Sequence, residues 1–252
     1  MRLAANISLL FTEYPFEDRF RAAADAGFDG VEILFPYDRP ATAVADLARQ
    51  AGLVPVLMNA PPPVPAGRPR GFPAEPGQGA IFRAQMEGVL SYAGAFRPGL
   101  IHVMAGYSDD PSAVGLFVDN LRWLCDQAPD QGFAIEPLNQ GDQPGYVLSD
   151  YALAAEILEA VNRPNLGLQY DSYHSAVIHG DALEVWNRYG ARAVHVQLGA
   201  APDRSEPGRG PTDFTTLLSA IEASRYRGWI SAEYNPSTDR TEDSLGWMSG
   251  RA

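Results

Sequence analysis

The chain has 252 residues, 46% of them hydrophobic, and a formal net charge of −12. That length suits one large core. No apolar run approaches the roughly 18 residues of a membrane span, and an acidic chain with no basic stripe argues against nucleic acid and membrane partners. All 19 basic residues are arginine. Without lysine, Schiff-base chemistry, a lysine general base and the lysine-bearing phosphate loop are excluded. The single cysteine rules out an internal disulfide framework and fits a cytoplasmic location. Cys125 lies in the helix-periodic stretch VDNLRWLCDQA and reads as a half-buried helix residue rather than a nucleophile.

In chain order, the opening MRLAANISLLFTEYP lacks the long apolar stretch and small-residue cleavage site of a signal peptide. LAANIS (3–8) reads instead as the first strand. FEDRFRAAADAG follows as a helix with Phe16, Phe20 and Ala24 on one face, ending at Gly27. GVEIL (30–34) is the second strand, and ATAVADLARQAG is a helix stopping at Gly52. VPVLMN (54–59) is the third strand, after which NAPPPVPAGRPRGFPAEPG (59–77) breaks the rhythm. Further strands are expected at 100–106, 133–138, 166–171, 193–198 and 229–234, with helices at 79–96, 111–128, 150–162, 180–189, 212–224 and 241–249. Eight strand-helix units predict an α/β fold, a (β/α)8 TIM barrel forming a single domain over 1–252, with a lid loop at 59–78. The rival, an open doubly wound sheet, commonly has fewer strands, and no glycine-rich dinucleotide loop follows the first strand here.

Barrel chemistry sits at the carboxyl ends of the strands. Glu136, Asp171, Gln197 and Glu233 occupy such positions, separated by 35, 26 and 36 residues, each about one strand-helix unit. A carboxylate in an apolar strand is costly unless paired, hydrogen-bonded or coordinated. Singly, each is explained as a solvent-facing strand end; four in register on neighbouring strands predict one divalent metal site. An all-oxygen set suits a hard ion, Mg2+ or Mn2+. His174 lies just past the sixth strand, within reach of substrate oxygens, and His102 lies in the fourth, in the core or beside the substrate. His195 and Gln197 share a strand face. The loop after the seventh strand, 199–213, brings Arg204, Glu206 and Arg209 to the same end of the barrel.

The segments IEPLN…PGYVLSD (135–150), GLQYDSYH (167–174), HVQLGAAPDRSEPGRG (195–210) and GWISAEYNP (228–236), with the opening stretch 6–37, resemble the hydroxypyruvate isomerase family of the xylose-isomerase-like barrels. The resemblance implies a single divalent metal held by Glu136, Asp171, Gln197 and Glu233, with Glu136 and Glu233 also the paired acid and base. His174 and Arg204 fall where related enzymes hold substrate oxygens. The sequence departs from the family pattern at GRPRG (67–71), at Pro211 after Gly210, and at Asn235.

The expected activity is a metal-dependent isomerisation of a small hydroxy-carbonyl acid such as hydroxypyruvate, giving tartronate semialdehyde through an enediolate. Arg204, a planar fork, is expected to pair with the substrate carboxylate. Alternatives are a 2-oxo-tetronate isomerase, a ketose 3-epimerase on the same metal site, an endonuclease, disfavoured by the acidic charge, and a non-catalytic binding barrel. The partner is a small sugar acid or ketose, and a homo-oligomer is compatible with the sequence.

Overall fold

The computed structural model describes residues 1–249. Eight parallel strands close on themselves in sequence order: β1 (Arg2–Asn6), β2 (Gly30–Ile33), β3 (Val54–Ala60), β4 (Leu100–Val103), β5 (Gly132–Ile135), β6 (Leu166–Asp171), β7 (Ala193–Leu198) and β8 (Trp229–Ala232). β1 seals the ring by pairing with β8, Leu3 opposite Ile230. The helices are α1 (Phe16–Asp25), α2 (Ala41–Ala51), α3 (Gly79–Phe96), α4 (Ala113–Gln127), α5 (Tyr151–Val161), α6 (Ser172–His179), α7 (Ala182–Tyr189) and α8 (Phe214–Ala223). The expected (β/α)8 barrel is thus the architecture found. Among the described residues, no helix is long and apolar enough to cross a membrane.

Three local expectations are corrected. β4, β5 and β8 end two or three residues earlier than the apolar runs do, so Glu136 and Glu233 stand just beyond the last ladder residue. The connection from β6 to β7 holds two α-helices and a 3-10 turn (Gly190–Arg192) rather than one helix, and His174 belongs to α6. Asp171 caps that helix by accepting from the Tyr173 N–H, and Gly180 ends it at φ 80°. The segment Thr241–Met248 is a 3-10 helix rather than an α-helix; it has no side-chain cap and contains Gly246.

Most of the core lies between the barrel and its helices, where residues such as Phe20, Phe82, Phe117 and Ile157 are fully buried. Each contributes about 1.5–3 kcal/mol relative to exposure. Inside the barrel the two ends differ. Ala4, Val56 and Leu57 pack with Leu100 and Trp229 as a small apolar cluster. Gly30 allows this closeness, since a Cβ there would lie 2.6 Å from Val56 and 2.9 Å from Trp229. Two residues further along the same strand faces come Asn6, Glu32 and Ser231, all at 0% exposure. Strand alternation therefore turns an apolar plug into a buried polar floor, on which the candidate site stands.

The segment after β3 is partly packed down. Phe72 and Ala74 are buried, the Ala74 N–H donates to the Ala105 carbonyl, and Asn120 donates to the Pro73 carbonyl. Its exposed residues fall near 63–69 and at Pro76 and Gly77.

Candidate functional site

The carboxyl ends of the strands surround a cavity of about 190 Å³ whose lining includes His102, Glu136, His174, Arg204 and Glu233, with Leu34, Phe35, Met104 and Leu138 as its apolar wall. His102 comes from β4, Glu136 from just past β5, His174 from α6, Glu233 from just past β8, and Arg204 from the loop after β7. Asp171 and Gln197, at 0% and 1% exposure, are buried at the ends of β6 and β7.

Glu136, Asp171 and His174 offer ligand atoms within 4.8 Å of one another. Glu233 joins them through Arg204, whose Nη2 lies 3.2 Å from both Asp171 Oδ2 and Glu233 Oε1. Gln197 is tied differently. Its Oε1 accepts from Gln169 Nε2 at 2.8 Å, and the same nitrogen donates to Glu136 Oε2 at 2.8 Å. Its own Nε2 donates to Glu32 Oε1 at 2.6 Å.

The electrostatics follow from this crowding. Burial pushes the Glu136 carboxyl well above its ordinary value, and Glu233 and Asp171 add to the shift. Glu233 is raised by burial too, with Arg204 opposing. For Arg204, burial works against the charge, but Glu233, Asp171 and Glu136 outweigh it and raise its pKa. Burial lowers His102 to about 3 and His174 to about 4, so both are neutral near pH 7.

The residues fit a divalent cation. Glu136 Oε1 and Glu233 Oε2 are buried without a hydrogen-bond partner among the described residues, which is expensive for carboxylate oxygens unless a cation completes them. Glu136, Asp171 and Glu233 are hard oxygen donors, as Mg2+ and Mn2+ prefer. His174 has a different part. Its Nδ1 accepts from the Asn139 backbone N–H at 3.1 Å, which leaves the ring proton of the neutral imidazole on Nε2. That nitrogen, 4.0 Å from Glu136 and 3.9 Å from Asp171, faces the carboxylates as a donor rather than as a lone pair for a metal.

Three participants escape the sequence reading: Glu32, Gln169 and Asn139. Glu32 is fully buried and accepts from Asn6, His195 and Gln197 at 2.8, 2.8 and 2.6 Å. Its signal was the same as that of Glu136, a carboxylate inside the apolar run GVEIL. Gln169 lies two residues before Asp171 and so on its strand face. The role of Asn139 depends on how the chain turns after β5, and no local pattern announces it.

A family model described as a xylose isomerase-like TIM barrel matches residues 20–250. The 2-oxo-tetronate isomerase of Pectobacterium atrosepticum is 36% identical, over 98% of this chain and 96% of its own length. The hydroxypyruvate isomerase of Escherichia coli is 34% identical, over 98% of each chain. A crystal structure from Brucella melitensis, titled AP endonuclease, family 2, superposes with a TM-score of 0.93 at 39% identity, over 98% of this chain and 97% of that one.

Proposed function

The chain belongs to the xylose isomerase-like TIM barrel family, and on that footing we propose that it is a divalent-metal-dependent isomerase of short 2-oxo acids bearing a hydroxyl at C3, the group common to hydroxypyruvate and 2-oxo-tetronate. The carrying observation is the pair Glu136 and Glu233: two buried carboxyls, each with an orphaned oxygen, lining one small cavity. Its volume of about 190 Å³ lies below the roughly 300–1,000 Å³ of drug-sized sites and favours a three- or four-carbon compound over a hexose. The net charge of −12 and the acidic cavity weigh against an endonuclease reading.

Glu136, Asp171 and Glu233 would hold the cation, with Gln197 beside them. A bound Mg2+ or Mn2+ supplies Lewis-acid polarisation of the substrate carbonyl and its neighbouring hydroxyl. Arg204 at 3.2 Å favours the ionised form of Glu233, which suits that residue to take the C3 proton. The C3–H electron pair becomes the C2=C3 bond as the carbonyl electrons move to O2. Glu136, which has no such arginine contact and starts as the protonated acid, gives its proton to C2, and passage of the proton from Glu233 back to Glu136 restores the pair. The O3 proton passes to O2, and C3 becomes the carbonyl, so that hydroxypyruvate yields tartronate semialdehyde with no redox partner consumed. His174 donates through Nε2–H to a substrate oxygen, and Arg204 offers its buried, unpartnered Nε to another.

Glu136→Gln and Glu233→Gln preserve shape and remove proton transfer. Each is expected to fold, by circular dichroism, and to lose about 10²–10⁴ in kcat on hydroxypyruvate or 2-oxo-tetronate with Mn2+ present. Full turnover by both variants would sink the mechanism.

A further inference from the structure

Two very different arginines stand at this end of the barrel, Arg204 in the lining of the cavity and Arg70 behind two of its wall residues, Phe35 and Met104. Arg204 is matched by the carboxylates of Asp171 and Glu233 at 3.2 Å each. Arg70, in the segment after β3, is half-buried, yet among the described residues no Asp or Glu oxygen lies within 4.0 Å of it. Its guanidinium sits 4.8 Å from the Phe35 ring centroid and 4.9 Å from that of Phe72. Nε and Nη2 both donate to the Pro61 carbonyl, at 3.3 and 3.1 Å, and Nη2 also lies 3.9 Å from Met104 Sδ. Nη1 has no protein acceptor among the described residues. Two rings and one carbonyl fix the orientation of the group but leave its charge uncompensated. Burial lowers its pKa, as expected of a cation drawn from water without an anion.

Phe35 and Met104, which touch Arg70, are also walls of the cavity that contains Glu136 and Glu233. A 2-oxo acid whose C2 and C3 lie between those glutamates must place its carboxylate elsewhere. The carboxylates of Glu136, Asp142 and Glu233 repel it, and the charge of Arg204 is already matched by Asp171 and Glu233, which leaves its Nε for a single substrate oxygen. We infer that Arg70, held between Phe35 and Phe72, is the seat of the substrate carboxylate and the residue by which the site selects 2-oxo acids over neutral ketoses. This moves the carboxylate away from Arg204, where the sequence alone placed it, and rests on the sugar-acid isomerase reading. Specificity then arises from the chain between β3 and α3 rather than from the metal centre.

The test separates the two ideas. Titrating the full chain, with Mn2+ present, with pyruvate and with hydroxyacetone compares a 2-oxo acid that cannot isomerise with its neutral counterpart. Arg70→Gln is expected to reduce the preference for pyruvate by about 10- to 100-fold, the loss of a charge-assisted pair. Arg70→Lys, which keeps the charge without the fork, should fall between, and circular dichroism checks that both variants fold. With hydroxypyruvate as substrate, the loss should appear mainly in KM rather than in kcat. Equal pyruvate preference in wild type and Arg70→Gln, or no pyruvate binding by wild type, overturns the assignment. Wild type that binds pyruvate through Arg70 but isomerises neither acid overturns the isomerase reading and supports the carboxylate seat.

Discussion

Replacing Glu32 by leucine or by glutamine should have sharply different consequences, because Glu32 is an acceptor for three donors at a site with 0% exposure. Leucine orphans the Asn6 and Gln197 amides and the His195 ring nitrogen together. Each buried unsatisfied group costs about 1–3 kcal/mol, so the loss is about 3–6 kcal/mol after allowing for relaxation, against a usual total of about 5–15. Glutamine keeps the shape and one acceptor. Its oxygen can serve Asn6 and Gln197, which both use Oε1, while its NH2 faces His195. His195 can answer by accepting at Nε2 and moving its proton to Nδ1, which has no partner now. One buried N–H then stays unpaired, at about 1–3 kcal/mol. For a chain of this size 1 kcal/mol is about 2–4 °C in Tm, so glutamine predicts a fall of about 2–12 °C and leucine one of about 6–24 °C, read by thermal melts monitored by circular dichroism. Equal losses for the two variants would refute the donor-counting argument. A leucine variant as stable as wild type would show that the polar floor contributes nothing to folding.

At the proposed metal site a cation would supply positive charge to the carboxylates that Arg204 contacts, so Mn2+ should raise the Tm of Arg204→Gln more than that of wild type. Melts with EDTA and with Mn2+ check this, and a smaller shift in the variant contradicts it. The Cys125 thiol is pushed up to about 12 by burial, helped by Asp126. The thiolate form is therefore scarce at pH 8, about one molecule in ten thousand, and gains population only as pH rises toward the folded value. Iodoacetamide at pH 8 should leave the native chain unmodified and label it once urea unfolds it; rapid native labelling would show that the thiol is accessible.

Composition, periodicity and spacing were enough to read the eight strand-helix units and the register of Glu136, Asp171, Gln197 and Glu233, because alternation along strands and intervals of one unit are local properties of the chain. α6 was missed although both its ends carry signals, Asp171 at the cap and Gly180 beyond it, because Asp171 is also the last strand residue and only 8 residues separate the two markers. What a buried polar atom meets is a different matter. Glu32 and His195 are 163 positions apart and touch because the barrel brings β2 across from β7. The tautomer of His174 is set by a backbone N–H of Asn139, 35 positions away. The sequence puts several arginines in the loops after β3 and β7, Arg70 and Arg204 among them, without showing which has an anion beside it. Tertiary structure decides that, because charge compensation depends on distances of a few ångströms between segments that only closure of the barrel brings together.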